Sequence, residues 1–169
     1  MKQIPESLLN TFRKYDTPTI VNSLELLDSK FRTSCFTTEQ MICVDTTLPP
    51  IVGYARTATI SASSEVDPNT KRDRSLAYYE YVSSGTAPFI SVIQDVDESP
   101  GFGAFWGEVN SNIHNALGVI GVVTNGSVRD LDVLAAGFQV LAGKIGPGHA
   151  YVCCGSLGIP KNRGSFIIG

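Results

Sequence analysis

The sequence predicts an α/β domain in which strands and helices alternate and the sheet is at least partly parallel. The run at 88–96 is apolar and β-branched, and the uninterrupted apolar run at 119–124 is typical of a strand covered on both faces. A segment with helical spacing of apolar residues, 105–117, separates them. Upstream, an alternating strand rich in Thr and Tyr at 53–60 is followed by a helix-compatible segment at 71–83, so the order of strand and helix repeats.

Length, charge and composition limit the domain number and the class of ligand. The 169 residues fit one domain, 1–169, with N-terminal helices within 1–28 and a core at 51–160. A net charge of -3 and a charged fraction of 17% argue against nucleic acid as a direct ligand. There is no apolar signal segment and no membrane-length apolar run, and the 4 cysteines lack Cys-x-x-Cys spacing. We therefore expect a soluble, cytoplasmic protein with reduced thiols and no membrane contact.

Two short helices are expected to open the domain. Apolar residues at helical spacing predict the first over 4–12. Thr17 followed by Pro18 predicts an N-cap and a proline at the first helical position, leading into a second helix over 19–27. Residues 29–50 predict a loop-rich connector with room for one short strand.

The core elements follow the connector. A polar loop at 61–70 should lead into the helix at 71–83. The helix over 105–117 should leave His114 on its polar side and bury an apolar face of Phe105, Val109, Ile113, Ala116 and Leu117. The remaining predicted elements are a short helix at 131–136 and strands at 138–142 and 150–154.

Three glycines mark the segment before the predicted helix: Gly101, Gly103 and Gly107. If the helix begins near Ala104, the free amides of its first turn and its dipole can bind a carboxylate or phosphate. The glycines would let the ligand approach the backbone, while Phe105 and Trp106 would shield it from water. The alternative is a tight turn with both aromatic rings in the core. A dinucleotide site fits poorly, because Trp106 stands at the third glycine position of that motif.

Arg129 and Asp130 follow a predicted strand and a turn at Gly126, at the carboxyl edge where open α/β sheets bind ligands. Arg can recognise a planar carboxylate with two hydrogen bonds, and Asp is a hard oxygen ligand for Mg²⁺ or Mn²⁺. Two structural alternatives stay open. Ser127 would be a helix N-cap with Asp130 as its capping-box acid. Arg129 would instead be a surface partner of Asp130 or Asp132, with little effect on stability.

Other polar residues give weaker indications. Glu108 lies in the first turn of the predicted helix, where the dipole favours an acid whatever its role. His114 and His149 have no Cys or His partner at zinc-ligand spacing and are expected to be surface or interface residues. A solvated acidic turn is the simplest interpretation of Asp95, Asp97 and Glu98.

The order and spacing of these residues resemble the RraA-like family. The resemblance is carried by Gly107-Glu108, then twenty residues, then Arg129-Asp130 within Thr124-Asn125-Gly126-Ser127-Val128-Arg129-Asp130-Leu131-Asp132. It extends upstream to 53–58 and downstream to 149–152, and covers roughly 17–160. The family contains 4-hydroxy-4-methyl-2-oxoglutarate aldolases, oxaloacetate decarboxylases and the RraA regulator of ribonuclease E.

The resemblance implies a swivelling β/β/α fold, assembled as a homotrimer or dimer of trimers with sites at subunit interfaces. It also implies a metal-dependent carbon–carbon lyase that cleaves small α-keto diacids through a pyruvate enolate. By position, Asp130 would bind Mg²⁺ or Mn²⁺ directly and Glu108 would bind it through water. Arg129 would bind the keto acid and steady the enolate oxygen. The carboxylate of the keto acid would be held by the backbone amides of Gly103, Ala104, Phe105, Trp106 and Gly107.

Three features differ from the family's usual pattern. Val133 stands where many members have an acid three residues after the motif aspartate, and Asn125 and Asn22 occupy positions that are often acidic. Members usually continue beyond the equivalent of Pro160 with further strands, so we expect an interface acid from that region to be lacking, the alternative being that the sequence is incomplete. These differences motivate the alternative hypothesis of a non-catalytic member that binds a protein partner, as a regulator of ribonuclease activity, or only a small acid.

Overall fold

The computed structural model describes residues 4–34, 37 and 39–158, which form an α/β domain as predicted. Its four helices are α1 Glu6–Phe12, α2 Thr17–Leu27, α3 Pro68–Ser83 and α4 Glu108–Ala116. Its strands are β1 Ile42–Cys43, β2 Tyr54–Ser61, β3 Phe89–Asp95, β4 Ala104–Trp106, β5 Val119–Val128, β6 Gln139–Ile145 and β7 Cys153–Leu157. Short 3-10 helices occupy Ser29–Thr33 and Leu131–Val133. The predictions made for 159–169 lie outside the described residues.

One sheet contains all seven described strands, in the order β1-β6-β5-β3-β2-β7. The central strands are parallel: β2 runs parallel to β3, β3 to β5, and β5 to β6. The two outer strands, β1 and β7, are antiparallel to their neighbours. The short β4 lies off this path and is parallel to the last part of β5. The carboxyl ends of β4, β5 and β6 therefore meet at one edge of the sheet.

Both N-terminal helices are present, but the cap of α2 lies one residue before the predicted one. Asp16 is the N-cap, and its carboxylate accepts a hydrogen bond from the Thr19 amide at 2.9 Å. Asp and Thr are both favourable caps, so the sequence allowed either. α2 has no buried residue, and Leu26 and Leu27 at its end are largely exposed.

α3 begins at Pro68, before the predicted start at 71. Asp67 caps it by accepting hydrogen bonds from the amides of Asn69 and Thr70, both at 3.1 Å. An acidic N-cap with a proline in the first helical turn marks the start of both α2 and α3. The helix buries Tyr78 and Val82, which belong to the main hydrophobic core.

The predicted helix at 105–117 is wrong in its first part, because the segment is divided between a strand and a shorter helix. Residues Ala104 to Trp106 form β4, and α4 starts at Glu108 after an extended Gly107 with φ -179°. The predicted apolar face is wrong in part: Phe105 and Leu117 pack in or against the core, but Val109 does not. Val109 is 64% exposed, whereas Ser111 and His114 are the buried residues of α4.

The later elements match the predictions with shifted bounds. The predicted short helix at 131–136 is reduced to the 3-10 turn Leu131–Val133. The last two strands, β6 and β7, lie near the predicted positions 138–142 and 150–154. Within the part of the chain described, no helix is long and apolar enough to cross a membrane.

Candidate active site at the carboxyl edge of the sheet

The pairing of β4 with β5 brings two distant parts of the chain together. Ala104 lies opposite Ser127, and Trp106 lies opposite Val128. One residue further on, the Arg129 amide donates a hydrogen bond to the Trp106 carbonyl at 2.9 Å. Gly107 and Glu108 therefore lie beside Arg129 and Asp130.

The Asp130 carboxylate is the centre of this arrangement. Its Oδ2 accepts a hydrogen bond from the Glu108 amide at 3.3 Å and lies 3.3 Å from Arg129 Nε. The side chains of Arg129 and Asp130 are 34% and 35% exposed. The backbone of Asp130 is left-handed, with φ 57° and ψ 42°, a conformation that Asp tolerates better than most residues. A carboxylate held in this way against a helix start and an arginine is accessible to a small ligand.

Gly107 is required at this point for space. A Cβ there would lie 2.6 Å from Asp130 Oδ2 and 3.0 Å from Arg129 Cγ. Its extended φ is open to any residue, so the close approach of the two side chains is the constraint. The glycine lets the Asp130 carboxylate reach the first turn of α4.

The capping-box alternative for Ser127 and Asp130 is wrong. Ser127 lies inside β5, and its buried hydroxyl has no hydrogen-bond partner among the described residues. Asp130 precedes the 3-10 turn but makes no side-chain capping hydrogen bond. The other alternative, an ion pair between Arg129 and Asp130, is present. At this exposure we expect the pair to contribute little to folding stability.

The glycine segment before β4 is packed rather than open. A Cβ at Gly103 would lie 2.6 Å from both Ala62 Cβ and the His149 carbonyl. The amide of Ala104 donates to the Gly148 carbonyl at 2.8 Å, so this donor is already engaged. The loop that follows β6 thus covers the segment.

Phe105 and Trp106 belong to the core and do not shield a ligand at the surface, which corrects that expectation. They are 8% and 1% exposed. The Trp106 ring stacks on Phe138 with centroids 5.7 Å apart, and Phe105 meets Tyr78 edge-on at 6.0 Å. Any ligand contact from this segment must therefore come from backbone groups.

His114 is buried, not on the polar side of its helix as predicted. Its Nδ1 lies 2.6 Å from the Asn110 carbonyl and its Nε2 lies 2.8 Å from Tyr78 Oη. A carbonyl only accepts, so Nδ1 carries the proton and Nε2 accepts from the Tyr78 hydroxyl. Tyr78 Oη then accepts from Ser91 Oγ at 2.9 Å. Burial lowers the pKa of His114 to about 4, which keeps the ring neutral.

The predicted solvated acidic turn is wrong for Asp95, the buried last residue of β3, and for the hydrogen-bonded Asp97, whereas Glu98 is exposed. Asp95 is 1% exposed, and burial raises the pKa of its carboxyl against the opposing effect of the Gly101 and Asp97 amides. Asp97 accepts hydrogen bonds from Ala62 and Ser63 amides at 2.7 and 3.1 Å. Partial burial acts to raise the pKa of Asp97, but the hydrogen bonds to its charged form together outweigh burial and lower the pKa. The largest of these contributions comes from the Ser61 hydroxyl.

The donor set suits an ion that needs few protein ligands. In residues 4–34, 37 and 39–158 there is no group of three His, Cys, Asp or Glu side chains able to hold a metal. Asp130 uses Oδ2 in its contacts with Glu108 and Arg129, while Oδ1 has no hydrogen bond within the described part. Mg²⁺ is commonly held by one or two carboxylates, with waters and substrate completing its octahedron. Asp130 and the exposed Glu108 fit that requirement.

The fold and this edge site define an α/β protein with an arginine and two acids around a helix start. The sequence profile of the RraA-like family, described as Aldolase/RraA, matches residues 17–161. The chain belongs to the RraA-like family. The family includes aldolases and decarboxylases, some of them dependent on divalent metals, as well as ribonuclease inhibitors. A search of curated proteins gives no significant match.

Three solved structures share the fold. Streptomyces coelicolor RraAS2, an unusual member of the RNase ES inhibitor RraA protein family, has 17% identity and a TM-score of 0.69, over 99% of this chain and 78% of its own. An uncharacterized protein from Pseudomonas syringae pv. tomato has 17% identity and a TM-score of 0.68, over 94% of this chain and 67% of its own. A protein described among novel cellulases from microbes of the gut ecosystem has 16% identity and a TM-score of 0.75, over 97% of this chain and 72% of its own. At these identities the likeness shows the fold alone.

Proposed function

We propose that the chain is a divalent-metal-dependent aldolase or decarboxylase that cleaves small α-keto diacids of the 4-hydroxy-4-methyl-2-oxoglutarate or oxaloacetate type. The reaction would pass through a pyruvate enolate. One observation carries this proposal: Asp130 sits in a left-handed conformation with its carboxylate against the Glu108 amide and Arg129 Nε. Strained backbone of this kind is concentrated at functional sites.

Arg129 is the substrate-binding cation in this proposal. Its guanidinium is one-third exposed, and its backbone is fixed by the hydrogen bond to the Trp106 carbonyl. It therefore offers a planar fork to a carboxylate or an enolate oxygen at a defined place. Because the Ala104 amide is engaged with Gly148, we assign the contact with the substrate carboxylate to the Gly107 end of the segment.

Asp130 would hold Mg²⁺ or Mn²⁺ directly, and Glu108 would hold it through water. When bound, the ion supplies Lewis acidity that stabilises negative charge on a substrate oxygen. The protein's own part is orientation: Gly107 leaves room for the two side chains, and the start of α4 favours negative charge beside it.

The direct test incubates the purified chain with oxaloacetate and Mg²⁺ or Mn²⁺ and follows pyruvate. We expect turnover above the rate of the metal alone, and a loss of at least about 100-fold in Arg129→Ala. Arg72→Ala, an exposed arginine on α3, is the matched control and should keep full activity. No pyruvate above the metal-only rate, or full activity in Arg129→Ala, would sink the proposal.

Val133 favours a second candidate, a non-catalytic regulator of ribonuclease activity. It is 52% exposed and sits where many family members have an acid, close to the motif aspartate. A ribonuclease inhibition assay tests this candidate. Inhibition that survives Arg129→Ala, together with absent keto-acid turnover, would support it, whereas robust turnover would remove its basis.

The proposed assembly is a homotrimer or a dimer of trimers with the site at a subunit interface. Analytical ultracentrifugation gives the mass directly. A species of three or six chains supports this assembly, and a monomer at micromolar concentration contradicts it.

A further inference from the structure

The strand β5 changes its neighbour part of the way along. It pairs with β3 as far as Ile93 opposite Thr124, and then with β4 from Ser127 onward. Asp95 is the last residue of β3 and lies beyond the end of the β3–β5 ladder. It is 1% exposed, so its backbone groups on that side need partners within the protein.

The side chain of Asn125 supplies those partners. Its Oδ1 accepts from the Asp95 amide at 2.7 Å, and its Nδ2 donates to the Asp95 carbonyl at 2.9 Å. One carboxamide thus satisfies both backbone groups of one residue, as a peptide unit of a neighbouring strand would. An ionised carboxylate has no donor and could make only the first of these bonds.

The Asp95 side chain continues the connection into the turn before β4. Its Oδ1 accepts from the Asp97 amide at 3.0 Å, and its Oδ2 accepts from the Gly101 amide at 2.7 Å. On the outside, Lys144 Nζ donates to the Pro100 carbonyl at 2.6 Å. The turn is therefore fixed from both sides just before the chain enters β4.

The position of β4 decides the geometry of the candidate site. Trp106 is the last residue of β4, and its carbonyl accepts a hydrogen bond from the Arg129 amide. Gly107 follows directly. The contact between the Glu108 amide and Asp130 Oδ2 is 3.3 Å long, so a small shift of β4 would break it. Misplacement of reacting groups by about 1 Å can cost about 100-fold in rate.

We propose that Asn125 is a positioning residue: its carboxamide replaces the missing strand pairing at Asp95 and thereby holds the turn at 96–103 and β4 in the place that brings Glu108 to Asp130. Asn125 contacts neither member of that pair. Its effect is transmitted through Asp95, Gly101 and β4. The kinetic part of the test rests on the proposed function, and the exchange part does not.

The test compares Asn125→Asp with the wild-type chain by amide hydrogen exchange. Losing the donor should loosen the turn, so the amides of Gly101 and Glu108 should exchange at least about threefold faster. The amides of buried α3, such as Tyr78, should keep their wild-type rates, which excludes general destabilisation. Asn69→Asp makes the same chemical change at an exposed position of α3 and should leave Glu108 unchanged.

Lys144→Met provides a second, milder variant that keeps the apolar stem over Gly101 while removing the bond to Pro100. We expect the same amides to respond in the same direction, by a smaller factor. Faster exchange at Gly101 with no change at Glu108 in both variants would overturn the proposal, because the turn would then be uncoupled from the site.

The kinetic part uses oxaloacetate with Mg²⁺. Asn125→Asp should lower kcat about tenfold with less than about twofold change in KM, since the substrate contacts themselves remain. An equal kcat in an active wild-type background would contradict positioning. An inactive wild type would count against the proposed function, and the exchange at Glu108 would then decide the role of Asn125.

Discussion

The two ends of α4 hold two polar clusters that differ in exposure and in completeness. At the N-terminal end, Arg129 and Asp130 are each about one-third exposed, and Asp130 keeps one carboxylate oxygen without a hydrogen bond in the described residues. Further along the same helix, His114 is hydrogen-bonded to Tyr78, which is hydrogen-bonded in turn to Ser91, and all three residues are 0% exposed. One cluster is open to ligands and the other is closed.

This difference distinguishes the proposed site from the scaffold. Both ring nitrogens of His114 are hydrogen-bonded, and His114, Tyr78 and Ser91 are fully buried, so a ligand has no access to them. Such a network specifies how α4 packs on the sheet. The open cluster is expected to contribute little to stability, and its polar atoms remain accessible to a ligand. Variants in the two clusters should therefore change different properties.

The largest effect is expected for Asp130→Asn. Asn also tolerates the left-handed backbone, so the fold should remain while the negative charge is lost. We expect oxaloacetate decarboxylation to fall by about 1000-fold, with the free energy of unfolding changed by less than about 1 kcal/mol. The exposed neighbour Asp132→Asn should have wild-type activity. Equal losses of activity in both variants would show that the effect is not specific to the Asp130 carboxylate.

Gly107→Ala should be next in size. Its Cβ would meet Asp130 Oδ2 at 2.6 Å, so the carboxylate must move away from the start of α4. We expect a loss of about 100-fold in kcat/KM and about 1–3 kcal/mol in stability. Gly148→Ala, whose Cβ would meet nothing within 4 Å, is the control for the added methyl group. Steady-state kinetics and urea unfolding of both variants measure the two effects.

His114→Ala should show the opposite pattern. Removing the ring leaves a cavity beside Trp106 and takes one partner from Tyr78, at a cost of about 3 kcal/mol in the free energy of unfolding. The activity per folded molecule should stay within about twofold of wild type. Selective loss of activity at unchanged stability would place His114 in the functional site instead.

Per pH unit, the smallest of these effects is the pH dependence that His114 gives to stability. Its pKa is about 4 in the folded chain against 6.5 for the free group, so the unfolded chain binds more protons between these values. Stability from this residue is complete above pH 6.5, falls by at most about 1.4 kcal/mol per pH unit on acidification, and stops falling below pH 4. Urea unfolding of His114→Phe should lack this component, and an unchanged slope would contradict it.

The sequence predicted the centre of the sheet and the neighbourhood of the site. The runs at 88–96 and 119–124 are apolar because β3 and β5 lie inside the sheet, so periodicity and burial agree there. Arg129 and Asp130 were predicted at the carboxyl edge because they follow a strand, although the predicted turn at Gly126 is wrong, since β5 continues to Val128. The roles assigned to the residues remain predictions.

What the sequence could not show depends on partners that are distant along the chain. The boundary between β4 and α4 was missed because Phe105 fits the spacing of a helical face locally, and only pairing with β5 makes this segment a strand. His114 was misplaced because Tyr78, whose hydroxyl donates to its Nε2, lies 36 positions earlier in the chain. By contrast, Asp67 before Pro68 was a local signal that could have placed the start of α3.

The left-handed backbone of Asp130 has a consequence for how relatives of this fold diverge. Gly and Asn adopt that conformation as readily as Asp does, so a single substitution can remove the charge without disturbing the chain. With the metal-binding role proposed for Asp130, such a substitution would remove catalysis in one step while the scaffold and its surfaces persist. A family that contains both lyases and ribonuclease inhibitors is what such an easily separable charge allows.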